Sequence, residues 1–205
     1  WYHFFIVVAM IGLVMLPQLL YWKEITGQWI YYSYGSERFF WNSPKMIEVL
    51  FGFRKGLFVY TPVLLVSLIG MYILWKKQRD LFWPLVIFFI LNVYVISSWW
   101  CWWYGGSYGM RSFVESYAFL AIPVAGFIAW AAEKRKSTRI SLYIIVLLLS
   151  LHSVFHTIQY YTGVIHYEGM TKKAYFHNFW RVKMPEDYWD DIDFPDYEKA
   201  MKGER

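Results

Sequence analysis

Long apolar stretches alternate along the chain with shorter polar or aromatic ones, and five of them lie at about 2–21, 57–75, 81–99, 116–132 and 140–159. Each approaches the roughly 20 residues that a helix needs to cross the hydrocarbon core of a bilayer. The pattern predicts an all-α, polytopic helical membrane protein with about five transmembrane helices. A transmembrane domain over 1–160 is followed by a short extension over 161–205. Pro17, Pro62, Pro84 and Pro123 lie within or at the ends of these stretches, where kinks are expected and neighbouring helices satisfy the backbone groups that proline frees.

The polar connections orient the spans. Lys76-Lys77-Gln78-Arg79-Asp80 and the segment from Glu133 to Arg139 are short and basic, which places them on the cytoplasmic side. The connections 22–56 and 100–115 and the tail after Tyr160 then fall together on the exterior. Within the first, Ser43 followed by Pro44 is a helix start. Over 44–57, Lys45, Glu48, Gly52 and Lys55 share one helical face, and Met46, Leu50, Phe53 and Leu57 share the other. That is the pattern of an exterior helix lying in the membrane interface.

Composition reinforces this class. Hydrophobic residues make up 58% of the chain, above the roughly 45–50% of soluble domains, and 23% are aromatic. The net charge of +5 is dispersed or confined to short loops, so it orients the chain and no nucleic-acid partner is expected. A single cysteine, Cys101, excludes an intrachain disulfide and a multi-cysteine metal site within the chain. Trp1 lies inside an apolar segment with neither Met nor a charged n-region before it, so the chain reads as the C-terminal part of a longer protein.

Candidate chemistry concentrates in Trp99-Trp100-Cys101-Trp102-Trp103-Tyr104-Gly105-Gly106-Ser107-Tyr108-Gly109-Met110-Arg111. Trp102, Trp103, Tyr104 and Tyr108 fit either an interfacial aromatic belt or a platform that stacks on a sugar or lipid. Gly105, Gly106 and Gly109 mark a shaped loop, because a belt does not ask for glycine. Arg111 offers a bidentate positive charge, with Glu115 four residues on as a structural partner if a helix has begun. Arg54 and Lys55 place two further cations just outside the second span, where they hold a phosphate or snorkel to headgroups. Glu37 and Glu48 are solvated carboxylates or acceptor-orienting groups. His152 and His156 have a metal-compatible i,i+4 spacing but no accompanying carboxylate or thiol, which favours packed neutral rings and no metal site. The tail carries seven acidic residues between Glu186 and Glu198 with too many aromatics for a disordered linker, and is expected to pack on the membrane domain.

Two segments, Arg54-Lys55-Gly56-Leu57-Phe58-Val59-Tyr60-Thr61-Pro62-Val63-Leu64-Leu65 and Trp102-Trp103-Tyr104-Gly105-Gly106-Ser107-Tyr108-Gly109-Met110-Arg111-Ser112-Phe113, together resemble the C-terminal half of bacterial polytopic glycosyltransferases of the GT-C superfamily. The resemblance covers roughly 45–135, with Met110 where proline is frequent and Tyr104 where tryptophan is common. It implies a bacterial inner-membrane enzyme that moves a sugar from a polyprenyl-phosphate donor to an acceptor on the exterior face. It also implies an acidic base or metal ligand upstream of this chain, so no catalytic base is assigned here. No cofactor is assigned, and a divalent metal is compatible with the class. Arg111, Arg54, Lys55, Glu115, Trp102, Trp103, Tyr104 and Tyr108 are then the donor-binding candidates. The rival expectation is a non-catalytic membrane subunit that anchors or regulates an envelope protein complex through its aromatic tail. Spans almost devoid of charge make a transporter less attractive.

Overall fold

The computed structural model describes residues 2–204, which are helical with no strand among them. Four segments are long and apolar enough to cross a membrane: α1 (Tyr2–Thr26), α5 (Arg79–Ser98), α6 (Tyr117–Ala132) with the 3-10 turn Arg111–Ser116 leading into it, and α7 (Lys136–Tyr161). The chain is thus a helical membrane protein. The stretch expected as a continuous helix over 57–75 is interrupted instead. It forms α3 (Leu57–Tyr60), a 3-10 turn (Pro62–Leu64) and α4 (Leu65–Lys77). The ring of Pro62 disfavours the helical conformation for the residue before it, and Thr61 adopts φ −130° and ψ 63°.

The exterior helix expected over 44–57 is likewise shorter, running as α2 over Met46–Phe51 with Lys45, not Ser43, in the capping position. Gly52 is extended and ends it. The chain then folds back, and Lys55 is buried with only 1% of its surface exposed, so it does not belong to a solvated helix face.

The chain divides into two compact units between Glu37 and Arg38. In the first, α1 has no buried residue, and its end is closed by Lys23 Nζ donating to the Gly27 carbonyl at 2.8 Å. In the second, α4 packs on α6, and both rest on α7 through Val66, Ile73 and Phe127 with Leu142, Val146 and Leu149. The basic connections after α4 and α6 meet in a 2.6 Å ion pair between Lys77 and Glu133.

At the opposite end of these helices, loops and tail form one packed layer. Val49, Leu57, Phe58, Phe113 and the Trp100–Trp103 run share a core with Ala200. Tyr60 shares a second core with Ile165, Met170, Ala174 and Tyr175. The tail contributes to both through the short helices α8 (Lys172–His177) and α9 (Tyr197–Lys202). Residues 161–204 are therefore part of the same unit as the helices before them, because their apolar side chains complete cores that the loops alone leave open.

Candidate functional site

The loop that follows α5 is built by its tryptophans and glycines. Trp99 leaves the helix in an extended conformation, and the Tyr104 amide donates to the Cys101 carbonyl at 2.8 Å to close a turn. Trp102 and Trp103 are buried, 7% and 3% exposed, so they form the floor of the loop layer and not an open platform. Tyr104 is half-buried at φ 55°, the only non-glycine residue in the left-handed region among those described. Gly109 also has positive φ, and a Cβ there would press within 3.3 Å of the Tyr60 Cβ. This contact lets Tyr108 reach over, so that its hydroxyl donates to the Tyr60 carbonyl at 3.0 Å. Burial pushes the Tyr108 phenol up to about 12, leaving it a neutral hydrogen-bonding group.

Met110 and Phe113 are buried at 3% and 0%, and between them they fix the 3-10 turn that carries Arg111. Arg111 stands exposed at the mouth of a cleft of about 290 Å³. Tyr60, Thr61, Tyr108, Tyr117 and Thr157 line it, with the Thr61 and Tyr117 hydroxyls 3.3 Å apart. The cleft is lined mostly by apolar surface, with several hydroxyl-bearing side chains and one guanidinium among its lining residues. Glu115 is exposed and does not pair with Arg111 among the described residues. The anticipated i,i+4 pair requires α-helical spacing, whereas a 3-10 turn has three residues per turn and moves Glu115 off the Arg111 face.

Arg54 and Lys55 are placed elsewhere. Arg54 donates to the carbonyls of Glu168 at 2.7 Å and Asp193 at 2.9 Å, and its second nitrogen meets the Asp193 carboxylate at 3.3 Å. Lys55 Nζ lies among the Ser107 carbonyl, the Ser107 hydroxyl and the Tyr167 carbonyl. Burial pushes Lys55 down to about 7, opposed by the nearby Glu168 and aided by Arg111 and Arg54. Both cations thus tie the 53–56 turn and the 104–109 loop to the tail. Arg54 also borders a second hollow of about 280 Å³ over Trp102 and Trp103, rimmed by Asp193, Asp196 and Glu204.

The structure therefore brings Arg111 and Tyr108 together at one cleft and places Arg54, Trp102 and Trp103 at another. Lys55 and Tyr104 act in the packing between loops. Glu48 is held by Lys45 at 3.9 Å. The rings of His152 and His156 lie 4.1 Å apart between centroids, tilted by 55°, and the Nε2 of His156 shares a hydrogen bond with Tyr175 at 3.1 Å. The lining groups Tyr60, Thr61, Tyr117 and Thr157 were not legible as site residues in the sequence. Ser153 and Thr157, spaced i,i+4 on the last span, were the signal that points there.

Comparison with protein-family models, with characterised proteins and with solved structures finds no match to this chain.

Proposed function

We propose that the chain is part of a membrane glycosyltransferase, and that the Arg111 cleft receives the phosphate of a polyprenyl-phosphate sugar. One observation carries this reading. Of the three candidate cations, Arg54 is committed to two backbone carbonyls and the Asp193 carboxylate and Lys55 to the oxygens of Ser107 and Tyr167, while Arg111 has no carboxylate or carbonyl partner among the described residues and opens onto a cleft lined in part by hydroxyl-bearing side chains. An apolar wall beside a guanidinium matches an amphipathic donor, whose prenyl chain stays in the hydrocarbon while its phosphate meets the charge. In the reaction an acceptor oxygen bonds to the anomeric carbon as the carbon–phosphate-oxygen bond breaks. The phosphate leaves with the electron pair, and Arg111 stabilises the charge that grows on it. The acceptor proton passes to a base that this chain does not assign. In this reading the loop-and-tail layer faces the exterior of a bacterial inner membrane, because the basic connections 76–80 and 133–139 lie at the other end of the helices.

The test is binding of farnesyl phosphate to the purified chain in nanodiscs, wild type against Arg111→Ala. Loss of a charge-assisted hydrogen bond of about 1.5–3 kcal/mol predicts a roughly 10- to 150-fold weaker dissociation constant. The complete protein carrying Arg111→Ala is expected to lose turnover with polyprenyl-phosphate sugars at unchanged folded yield. Equal affinity of the two forms for farnesyl phosphate removes the phosphate role and turns the assignment toward a non-catalytic membrane subunit.

A further inference from the structure

The tail does more than cover the loops. After α8, the chain from Phe179 to Met184 runs beside the last turns of α7. The Trp180 ring lies 6.1 Å from Phe155 and 6.5 Å from His152. At the other end, a Cβ on Gly163 would sit 3.1 Å from the Met184 Cε. Residues 152 to 155 lie roughly 9–14 Å below the end of α7 at Tyr161. The carbonyls of Asn178, Phe179 and Arg181 all lie against the Gln159 side chain in the last turn of α7, and from there the Trp180 ring reaches back along the helix to Phe155 and His152.

Non-helical backbone beside the end of a spanning helix needs its polar groups satisfied. Gln159, 2% exposed, supplies this: its Nε2 donates to the carbonyls of Asn178, Phe179 and Arg181 at 2.9, 3.2 and 2.7 Å. What the segment turns outward alternates in character. Trp180, Val182 and Met184 are 77%, 46% and 50% exposed, and the intervening Arg181 and Lys183 are exposed too. Neither cation pairs with a carboxylate among the described residues. Of the acidic groups that follow, Asp191 is engaged with Lys173 at 2.6 Å and with His177 at 2.8 Å, and Asp187 lies 3.8 Å from His177.

We infer that residues 179–184 form a membrane wedge that sets Trp180 at the lipid interface beside α7 and recognises anionic headgroups through Arg181 and Lys183. Exposed apolar side chains at the depth of a spanning helix meet acyl chains, and a Trp ring prefers the headgroup boundary. Long basic side chains lay their stems along this apolar surface and carry their charge up to the phosphates. Each basic residue held near an anionic surface is worth up to about fivefold in local lipid preference.

The experiment places an environment-sensitive fluorophore on Trp180→Cys, with Lys202→Cys on α9 as a reference, in nanodiscs of mixed phosphatidylcholine and phosphatidylglycerol. Both positions are exposed and Cys101 is buried, so the label attaches at the introduced cysteines. Acyl-chain nitroxides are expected to quench the probe at 180 and leave the one at 202 bright, with aqueous iodide giving the reverse. At equal mole fraction, nitroxide carried on phosphatidylglycerol is expected to quench at least about twofold more than on phosphatidylcholine. That difference is expected to vanish when Arg181→Gln and Lys183→Gln are combined. Iodide access at 180 equal to that at 202 overturns the wedge. Shielding from both quenchers overturns it in favour of a protein partner, and equal quenching by the two lipids in the otherwise unaltered protein overturns the headgroup preference.

Discussion

Gly70→Leu is expected to separate α4 from α6 and to leave a protein that no longer survives extraction as a monodisperse species. A Cβ at Gly70 would fall onto the carbonyl group of Pro123, which is backbone and cannot rotate aside. Small residues at helix crossings let backbones approach closely in membranes, and association there rests on van der Waals contact more than on solvent exclusion. Overpacking in a core costs about 1–3 kcal/mol where side chains can yield. Here the helices themselves must move apart, which loosens Val66, Ile73 and Phe127 together, so about 3 kcal/mol or more is expected. Gly126→Ala offers the graded comparison, since its Cβ would meet the Leu74 side chain at 3.3 Å and that chain can shift. Gly12→Ala, with nothing within 4 Å in its own unit, should be silent. Thermal unfolding in detergent, followed by size-exclusion recovery, orders the three. A Gly70→Leu protein as stable as wild type would show that the close crossing is not needed.

Why the helices were legible and the site was not follows from which interactions each depends on. Spans such as 81–99 and 140–159 are written in twenty consecutive side chains, and hydropathy alone recovers α5 and α7 to within a few residues. The break at Thr61 was foreshadowed by Pro62, but whether proline kinks a helix or ends it depends on what packs around it, and here a 3-10 turn takes over. The candidate cations show the limit most clearly. Arg54, Lys55 and Arg111 look alike in sequence, each a charge beside a span. The fates of Arg54 and Lys55 are set by carbonyls of residues 107, 167, 168 and 193, between about 50 and 140 positions away. No local pattern encodes those partners. The burial of Trp102 and Trp103 has the same origin, since the tail that covers them arrives about 90 residues later through Tyr197 and Ala200.

Lys55→Met is expected to weaken the docking of the tail and to change how stability depends on pH. Three oxygens surround Nζ: two carbonyls that only accept, and the Ser107 hydroxyl, which can accept or donate. An ammonium gives all three a proton. A neutral amine gives two to the carbonyls and takes one from the hydroxyl, so the site holds both forms and burial favours the neutral one. Methionine fills the volume but leaves two carbonyls unsatisfied, at about 1–3 kcal/mol each. The loss should appear as faster proteolysis after residue 165 and a lower melting temperature. The pH signature separates this from simple loosening. Burial pushes Lys55 down to about 7 from an ordinary 10.5, so between those values the unfolded chain binds the extra proton and stability rises with pH. From pH 7 to 9 that amounts to at most about 3 kcal/mol. His166 acts in the same direction at lower pH. Its Nδ1 accepts from the Gly169 amide at 2.8 Å, burial holds its pKa below the usual range, and stability falls as pH drops below about 6.5. In Lys55→Met the rise above pH 7 should disappear while the His166 fall remains, so the deficit against wild type is largest near pH 9 and narrows toward pH 6. A deficit constant across this range would mean that Lys55 stays charged, its ammonium held by the three oxygens at every pH tested.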